Sequence, residues 1–360
     1  MNKPVKKVII AMSGGVDSSV SAALLKKQGF EVEGVFMKFW SEPESKDPES
    51  VCRQNLCCSK EAEEAARQVA EKLGIPFKVL DFSREFKKEV VDYFLAEQKK
   101  GRTPNPCVVC NKKIKFGLLF DYAQKMKADF LASGHYVDKI KSKGVFKIKK
   151  AKDQSKDQTY FLYRLNQKQL SKLIFPAGDI LKEDIYKIAK KLKLPYWRAE
   201  SFDLCFARSG AESFVKKYLK LVPGEIRNLD GEILGRHEGL AIYTIGQRKR
   251  IPVAQGPWRV VKKDERKNIL FVSNDEKDLY SSELKMARVN WTSGQAPEFP
   301  LRADVKIRYK SKPARAMIEP IDKSAKKLKV KFSKPQFAAT PGQSAVFYKG
   351  KELLGGGVIE

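Results

Sequence analysis

The chain has 360 residues, with 71 Lys and Arg against 43 Asp and Glu, a formal net charge of +28 and a pI near 9.7. That length holds two or three domains with their own cores, and such an excess of positive charge selects a polyanionic partner, nucleic acid ahead of membrane surface. No apolar run approaches the roughly 20 residues that span a bilayer and no leader precedes the first strand, so a cytoplasmic chain with reduced cysteines is expected, and membrane or disulfide-stapled secreted classes are set aside.

In chain order, residues 5–135 alternate strand and helix. Strands are predicted over 5–12, 31–39, 77–81 and 130–134, and helices over 20–27, 59–73 and 84–100. This alternation predicts an α/β fold with a doubly wound, mostly parallel sheet and a ligand at the C-terminal strand ends. Between the first strand and the first helix lies Ser13-Gly14-Gly15-Val16-Asp17-Ser18-Ser19. Glycines let backbone N–H groups approach an anion, serine hydroxyls add donors, and the helix N-terminus adds positive potential. The spacing is neither a Walker loop nor a G-x-G-x-x-G turn. An acidic residue among the glycines, Asp17, suits a Mg²⁺ carried by a polyphosphate.

Farther along, eight lysines oppose one aspartate between Lys139 and Lys156, which predicts an exposed hairpin or basic loop. Helical patterning covers 167–194. From about Pro223 the texture turns to short β segments: a hairpin at Asn228-Leu229-Asp230-Gly231, then Ala241–Thr244, then period-two stretches at 303–309 and 328–332. A small central α+β domain (208–285) and a C-terminal β-barrel (286–360) are expected after an N-terminal domain of 1–207. The barrel segment holds 15 Lys/Arg against 6 Asp/Glu and is itself a candidate RNA surface.

Among six cysteines, Cys107 and Cys110 form a C-x-x-C at the end of the proline-stiffened loop Thr103-Pro104-Asn105-Pro106, just before a helix. A thiol at a helix N-terminus is favoured as thiolate. Cys205 stands alone in Leu204-Cys205-Phe206, and Cys57-Cys58 lies near Cys52. Two separated reactive thiols suit sulfur transfer, one carrying a persulfide and the other closing a disulfide. A zinc site from Cys57 or Cys58 with Cys107 and Cys110 is the competing reading.

The heptad at Ser13 resembles the pyrophosphate loop of the PP-loop ATPases. Together with Ser133-Gly134-His135-Tyr136, Cys110-Asn111-Lys112-Lys113-Ile114-Lys115-Phe116, Lys156-Asp157-Gln158, Tyr243-Thr244-Ile245-Gly246-Gln247-Arg248 and Thr340-Pro341-Gly342-Gln343, nearly the whole chain resembles the tRNA-specific 2-thiouridylases. The resemblance implies ATP with Mg²⁺ on Ala11, Met12, Ser13, Gly14, Gly15, Val16, Asp17, Ser18, Met37 and Gly134. It implies Cys110 as nucleophile, Cys205 as persulfide carrier, and Asn105, Pro106 and Cys107 around the target base. For tRNA it implies His135, Lys156, Asp157, Gln158, Arg308, Tyr309 and Gln343. The implied partners are a tRNA anticodon stem-loop and a protein sulfur donor, with no membrane. The implied reaction is ATP-dependent 2-thiolation of the wobble uridine, position 34. A PP-loop ligase acting on another base or a small molecule, and a zinc-stabilised RNA-binding module, remain the alternatives. The chain departs from the family in three places: Cys107 stands where many members have Asp, Asp203-Leu204 replaces Gly-Ile, and Lys249-Arg250-Ile251-Pro252 replaces a glycine-rich continuation.

Overall fold

The structure, a computed structural model, describes residues 4–42, 59–197, 204–207, 210–254 and 256–360. Cys52, Cys57 and Cys58 lie outside the described residues, and so does the zinc reading that needs them. The N-terminal sheet is parallel, built from β1 (Lys7–Ala11), β2 (Glu31–Lys38), β3 (Phe77–Asp81) and β4 (Phe130–Ser133), with strands β5 (Val137–Ser142) and β6 (Val145–Lys150) outside it and the two-residue β7 (Leu173–Ile174) closing it in the order β3-β2-β1-β4-β7. Val8, Ile9 and Ile10 of β1 are fully buried, as a central strand covered on both faces requires.

The covering helices are α1 (Val16–Lys27), α2 (Lys60–Leu73), α3 (83–99), α4 (106–125), α5 (Gln167–Lys172), α6 (Lys182–Lys191) and α7 (Ala211–Tyr218). Helix α2 begins where Ser59 Oγ accepts the Ala62 N–H at 3.2 Å and ends at Gly74 in the left-handed region. Helices α3 and α4 each carry a π-helical stretch, Lys87–Val91 and Asn111–Leu118. The second of these lies immediately after Cys110, where such widened turns re-aim side chains. Helix α1 starts four residues earlier than the sequence suggests, so Asp17, Ser18 and Ser19 form its first turns.

A central four-stranded sheet follows, β8 (Gly224–Arg227), β9 (Ile233–His237), β10 (Arg259–Asp264) and β11 (Ile269–Ser273), ordered β10-β11-β8-β9 over a small core of Ile226, Val260, Leu270 and Val272. Strands β12 (Tyr280–Trp291), β13 (Leu301–Lys306), β14 (Ala314–Pro320), β15 (Leu328–Phe337), β16 (Ser344–Lys349) and β17 (Glu352–Ile359) then form a barrel that closes through β12 and β17.

Three sequence expectations change. The basic stretch from Lys139 is a hairpin, β5–β6, but it is docked rather than free, because β6 pairs with β17 through Lys149–Glu352 and Ile148–Leu353. Lys139 itself turns inward, its Nζ donating to the carbonyls of Leu170 and Leu173 at 2.9 and 2.5 Å, and burial lowers its pKa to about 8. The 167–194 region is two helices broken by β7, which satisfies the free edge of β4. Residues 240–242 are a 3-10 turn instead of a strand.

The Ser13 loop is held by close backbone approach. Gly14 has φ +74°, and a Cβ there would lie 2.1 Å from the Ala62 carbonyl oxygen of α2. Gly14→Ala is expected to lower stability by about 2 kcal/mol or more through the left-handed backbone alone and to displace the loop from α2, measured by urea unfolding alongside nucleotide titration.

Candidate active site

The loop after β1 is braced by its own serines. Ser18 Oγ donates to the Gly15 carbonyl at 2.9 Å and accepts the Ser13 N–H at 3.1 Å, while Ser19 Oγ donates to the same carbonyl at 3.0 Å. Val16 is buried in the core and carries the helix start. Beside the loop lies a cleft of about 200 Å³ lined by Ala11, Met12, Ser13, Asp17, Ser18, Met37 and Gly134, together with Lys115, Phe116, His135 and Gln158. Gly134 is required there, since a Cβ would come within 2.8 Å of the Ser18 nitrogen and 2.9 Å of the Asp17 carbonyl carbon.

Two residues missed as site members complete the loop. Lys182 Nζ lies 2.5 Å from Asp17 Oδ1, and Tyr136 Oη donates to the same oxygen at 2.6 Å. The ammonium also sits 5.6 Å from the Tyr136 ring and 5.0 Å from that of Tyr186. Burial, reinforced by the hydrogen bond to Asp17, holds the Tyr136 phenol far above its ordinary range, so it stays a donor. Lys182 is placed by the Leu181 cap of α6 and by its own N–H, which donates to Asp153 Oδ2 at 3.1 Å. Its distance of 165 positions from Asp17 explains why spacing did not reveal it.

His135 belongs to this cleft. Its Nδ1 pairs with Ser133 Oγ at 2.9 Å, and burial, with a smaller contribution from the Lys115 charge, lowers its pKa to about 3. The imidazole is neutral at physiological pH and packs near Phe116 and Phe175. Gln158 Oε1 accepts the Tyr136 N–H at 2.9 Å, fixing the turn after β4.

The thiol loop is fastened at Thr103. Its N–H donates to the Pro341 carbonyl at 2.9 Å, its carbonyl accepts Gln343 Nε2 at 2.9 Å, and its hydroxyl lies 3.2 Å from that of Thr244. The barrel and the central domain therefore both grip it. Asn105 then caps α4, its Oδ1 accepting the Val108 N–H at 3.3 Å, with Pro106 at the first helical position. Cys107 is exposed and Cys110 is buried on the same helix. Cys205 is half-buried, and the neighbouring Phe206 anchors it among Phe86, Phe94 and Phe214 at ring separations of 6.1, 5.5 and 5.3 Å. Trp197 N–H donates to the Gly14 carbonyl at 2.9 Å, tying the segment before Cys205 to the phosphate loop.

The remaining predicted residues scatter. Lys156 is exposed. Asp157 is inside, accepting Thr159 Oγ1 at 2.7 Å and the Ala151 N–H at 3.3 Å. One Arg308 nitrogen, Nη2, donates to the carbonyls of Ala338 and Ile245 at 2.6 and 3.3 Å and to Thr340 Oγ1 at 2.9 Å, joining barrel to central domain. Tyr309 packs 4.5 Å from the Phe161 ring. Among the described residues no three His, Cys, Asp or Glu side chains gather as a metal-ligand set, and no helix is long and apolar enough to cross a membrane.

This geometry generates two expected outcomes. Lys182→Met is expected to weaken ATP binding at least tenfold by calorimetry while Lys182→Arg retains most of it, because the loop loses the ammonium paired with Asp17. His135 titrates below its ordinary value, so the unfolded chain binds its proton first as pH falls from 6.5 toward 3, and stability drops across that window. His135→Gln should flatten that part of the urea-stability profile.

Family models match along the chain: a tRNA methyl transferase HUP domain over 6–209, a tRNA methyl transferase PRC-barrel domain over 212–274 and an aminomethyltransferase beta-barrel domain over 281–359. The tRNA-specific 2-thiouridylase MnmA of Geobacillus thermodenitrificans is 42% identical, with 98% of this chain and 94% of the relative aligned. A protein of the same name from Thermoanaerobacter sp. (strain X514) is 44% identical over 98% of each. One from Nitrosomonas eutropha is 42% identical over 100% of this chain and 99% of the relative. With three domains in one order and identity running from end to end, the chain belongs to the tRNA-specific 2-thiouridylase family.

Proposed function

We propose that this protein uses ATP to replace the C2 oxygen of the wobble uridine, position 34, of tRNA with sulfur. The observation that carries the reading is that α4 serves both halves of the chemistry. Its Lys115, Phe116 and Leu119 wall the phosphate-loop cleft, while Cys110 lies less than two turns upstream, behind the Asn105-Pro106-Cys107 cap.

Ser13, Gly14, Gly15 and Ser18 cradle the polyphosphate with backbone and hydroxyl donors, and Lys182 offsets its charge. Asp17 and the Ser13 and Ser18 hydroxyls are hard oxygen donors of the kind Mg²⁺ takes beside substrate phosphates. A Mg²⁺ held there would neutralise charge on the departing pyrophosphate. The C2 oxygen of the uridine attacks the α-phosphorus, pyrophosphate leaves, and the base carries AMP. A base reached this way must leave its stack, and an anticodon loop offers it unpaired.

Cys205, loaded as a persulfide by a protein donor, supplies the sulfur that displaces AMP. Cys110 either attacks the persulfide or takes the sulfur–sulfur bond at the end. Either route leaves one Cys110–Cys205 disulfide for each sulfur delivered, and a thiol reductant returns both to thiols. Burial of Cys110 and the Phe206 anchor of Cys205 imply that bound tRNA closes the two loops together. The chemistry needs no membrane and reduced thiols at rest, which fits a cytoplasmic setting.

The test is anaerobic thiolation by the purified chain with ATP, tRNA and a persulfide donor, read by mass spectrometry of digested tRNA. One sulfur at C2 of nucleotide 34 is expected, with loss of at least a thousandfold in rate for Cys110→Ser and for Cys205→Ser. Sulfur at another nucleotide, AMP release without tRNA, or stoichiometric zinc with no turnover would each replace this reading.

A further inference from the structure

The segment 161–165 is pinned from two domains. Asn111 of α4 donates through Nδ2 to the Phe161 carbonyl at 3.5 Å, and Asn290 of β12 donates through Nδ2 to the carbonyls of Tyr163 and Leu165 at 2.7 and 3.1 Å. The Asn290 amide thus straddles Arg164. Lys112 is next to Asn111 in α4, and Arg288 is two residues before Asn290, in the β12 bulge where pairing with β17 slips between Ala287 and Asn290, at a φ of +53° that side chains seldom adopt.

The three cations come from three separate elements, and all reach solvent. Among the described residues none has an ion-pair partner. Glu97 pairs with Lys100 and Arg102, each at 3.5 Å, and Glu89 with Lys113 at 3.2 Å. The crowding is felt electrostatically. Burial and then the Arg164 charge lower the Lys112 pKa, and the charges of Arg164 and Arg288 both reach the buried Tyr163 phenol. Like charges gathered without an ion-pair partner repel, and a bound anion removes the repulsion.

We infer that Lys112, Arg164 and Arg288 form a phosphodiester subsite that takes the tRNA backbone next to the target nucleotide. Lys112 lies two residues beyond Cys110, so a phosphate held here fixes the strand at a set distance from the thiol. Two guanidinium forks suit the two non-bridging oxygens of one phosphate. Both arginines are positioned by amide-to-carbonyl bonds that do not depend on RNA. The inference rests on the tRNA reading proposed for the active site.

The test is the salt dependence of tRNA binding, by filter binding between about 50 and 200 mM salt, the range over which counterion release is read. Arg164→Ala and Arg288→Ala should each reduce the slope of log K against log salt by about 1, and the double variant by about 2. Arg164→Lys/Arg288→Lys should restore most of the slope, which a folding defect would not allow. Lys125→Ala/Lys191→Ala removes the same charge elsewhere and should leave the slope unchanged. A wild-type slope in the double alanine variant, or an equal loss in the charge-matched control, overturns the subsite alone. Absence of salt-dependent binding by the wild-type protein overturns the tRNA reading, and the subsite with it.

Discussion

The structure turns on the fastening of one residue. Thr103 is bonded through its N–H, its carbonyl and its hydroxyl to partners in two other domains, more than 130 positions away in each case. Gly342 makes this contact possible: at φ +92° its missing Cβ would stand 3.0 Å from three Thr103 backbone atoms. What is fastened is the entry to α4. Two residues later Asn105 caps the helix, and five residues after that comes Cys110. The position of the thiol relative to the phosphate loop is therefore set jointly by the sheet beneath α4 and by the domains that hold its leading loop.

The rest of the interdomain seam is built to the same end. Tyr160 Oη donates to the Ser344 carbonyl at 2.9 Å and Tyr163 Oη lies 3.2 Å from Ser344 Oγ, with both rings fully buried. The β5–β6 hairpin adds two residue pairs to β17. An aromatic, hydrogen-bonded seam of this kind packs like a domain interior and resists hinge motion. On either side of Cys205 the described residues are held by the Phe206 ring and the Trp197 N–H.

Much of this was legible in sequence, for a physical reason: chemistry carried by consecutive residues survives the absence of a fold. The phosphate loop needs glycines and serines in one turn, whereas the helix expected just after Cys107 and Cys110 in fact starts before them, at Pro106 with Asn105 as its cap. The β–α alternation likewise predicted the parallel sheet. What stayed hidden depends on contacts far apart in the chain. Lys182 looked like one lysine of a basic helix until α6 laid it on Asp17. Gln343 and Arg308 are expected from the resemblance as tRNA contacts, and nothing in their sequence setting announces that their amide and guanidinium nitrogens bond to backbone carbonyls of other segments. The fifth strand of the parallel sheet, only two residues long, is shorter than any periodicity can register.

The same distinction changes the meaning of the charge. A net +28 suggests a uniformly basic surface, yet several cations are spent inside the fold. Lys139 closes the carbonyl ends of α5, and Lys263 donates to the Leu240 and Tyr243 carbonyls, with burial lowering both to about 8. Such lysines stabilise by satisfying carbonyls that would otherwise be orphaned, and because desolvation lowers their pKa they contribute less than a full charge above neutral pH. Arg308 is similarly committed by one nitrogen to the barrel junction. A long-range field that steers RNA depends on the cations left unneutralised near solvent. Composition counts Lys139 and Arg164 alike; the fold turns the first toward carbonyls and leaves the second facing whatever anion arrives.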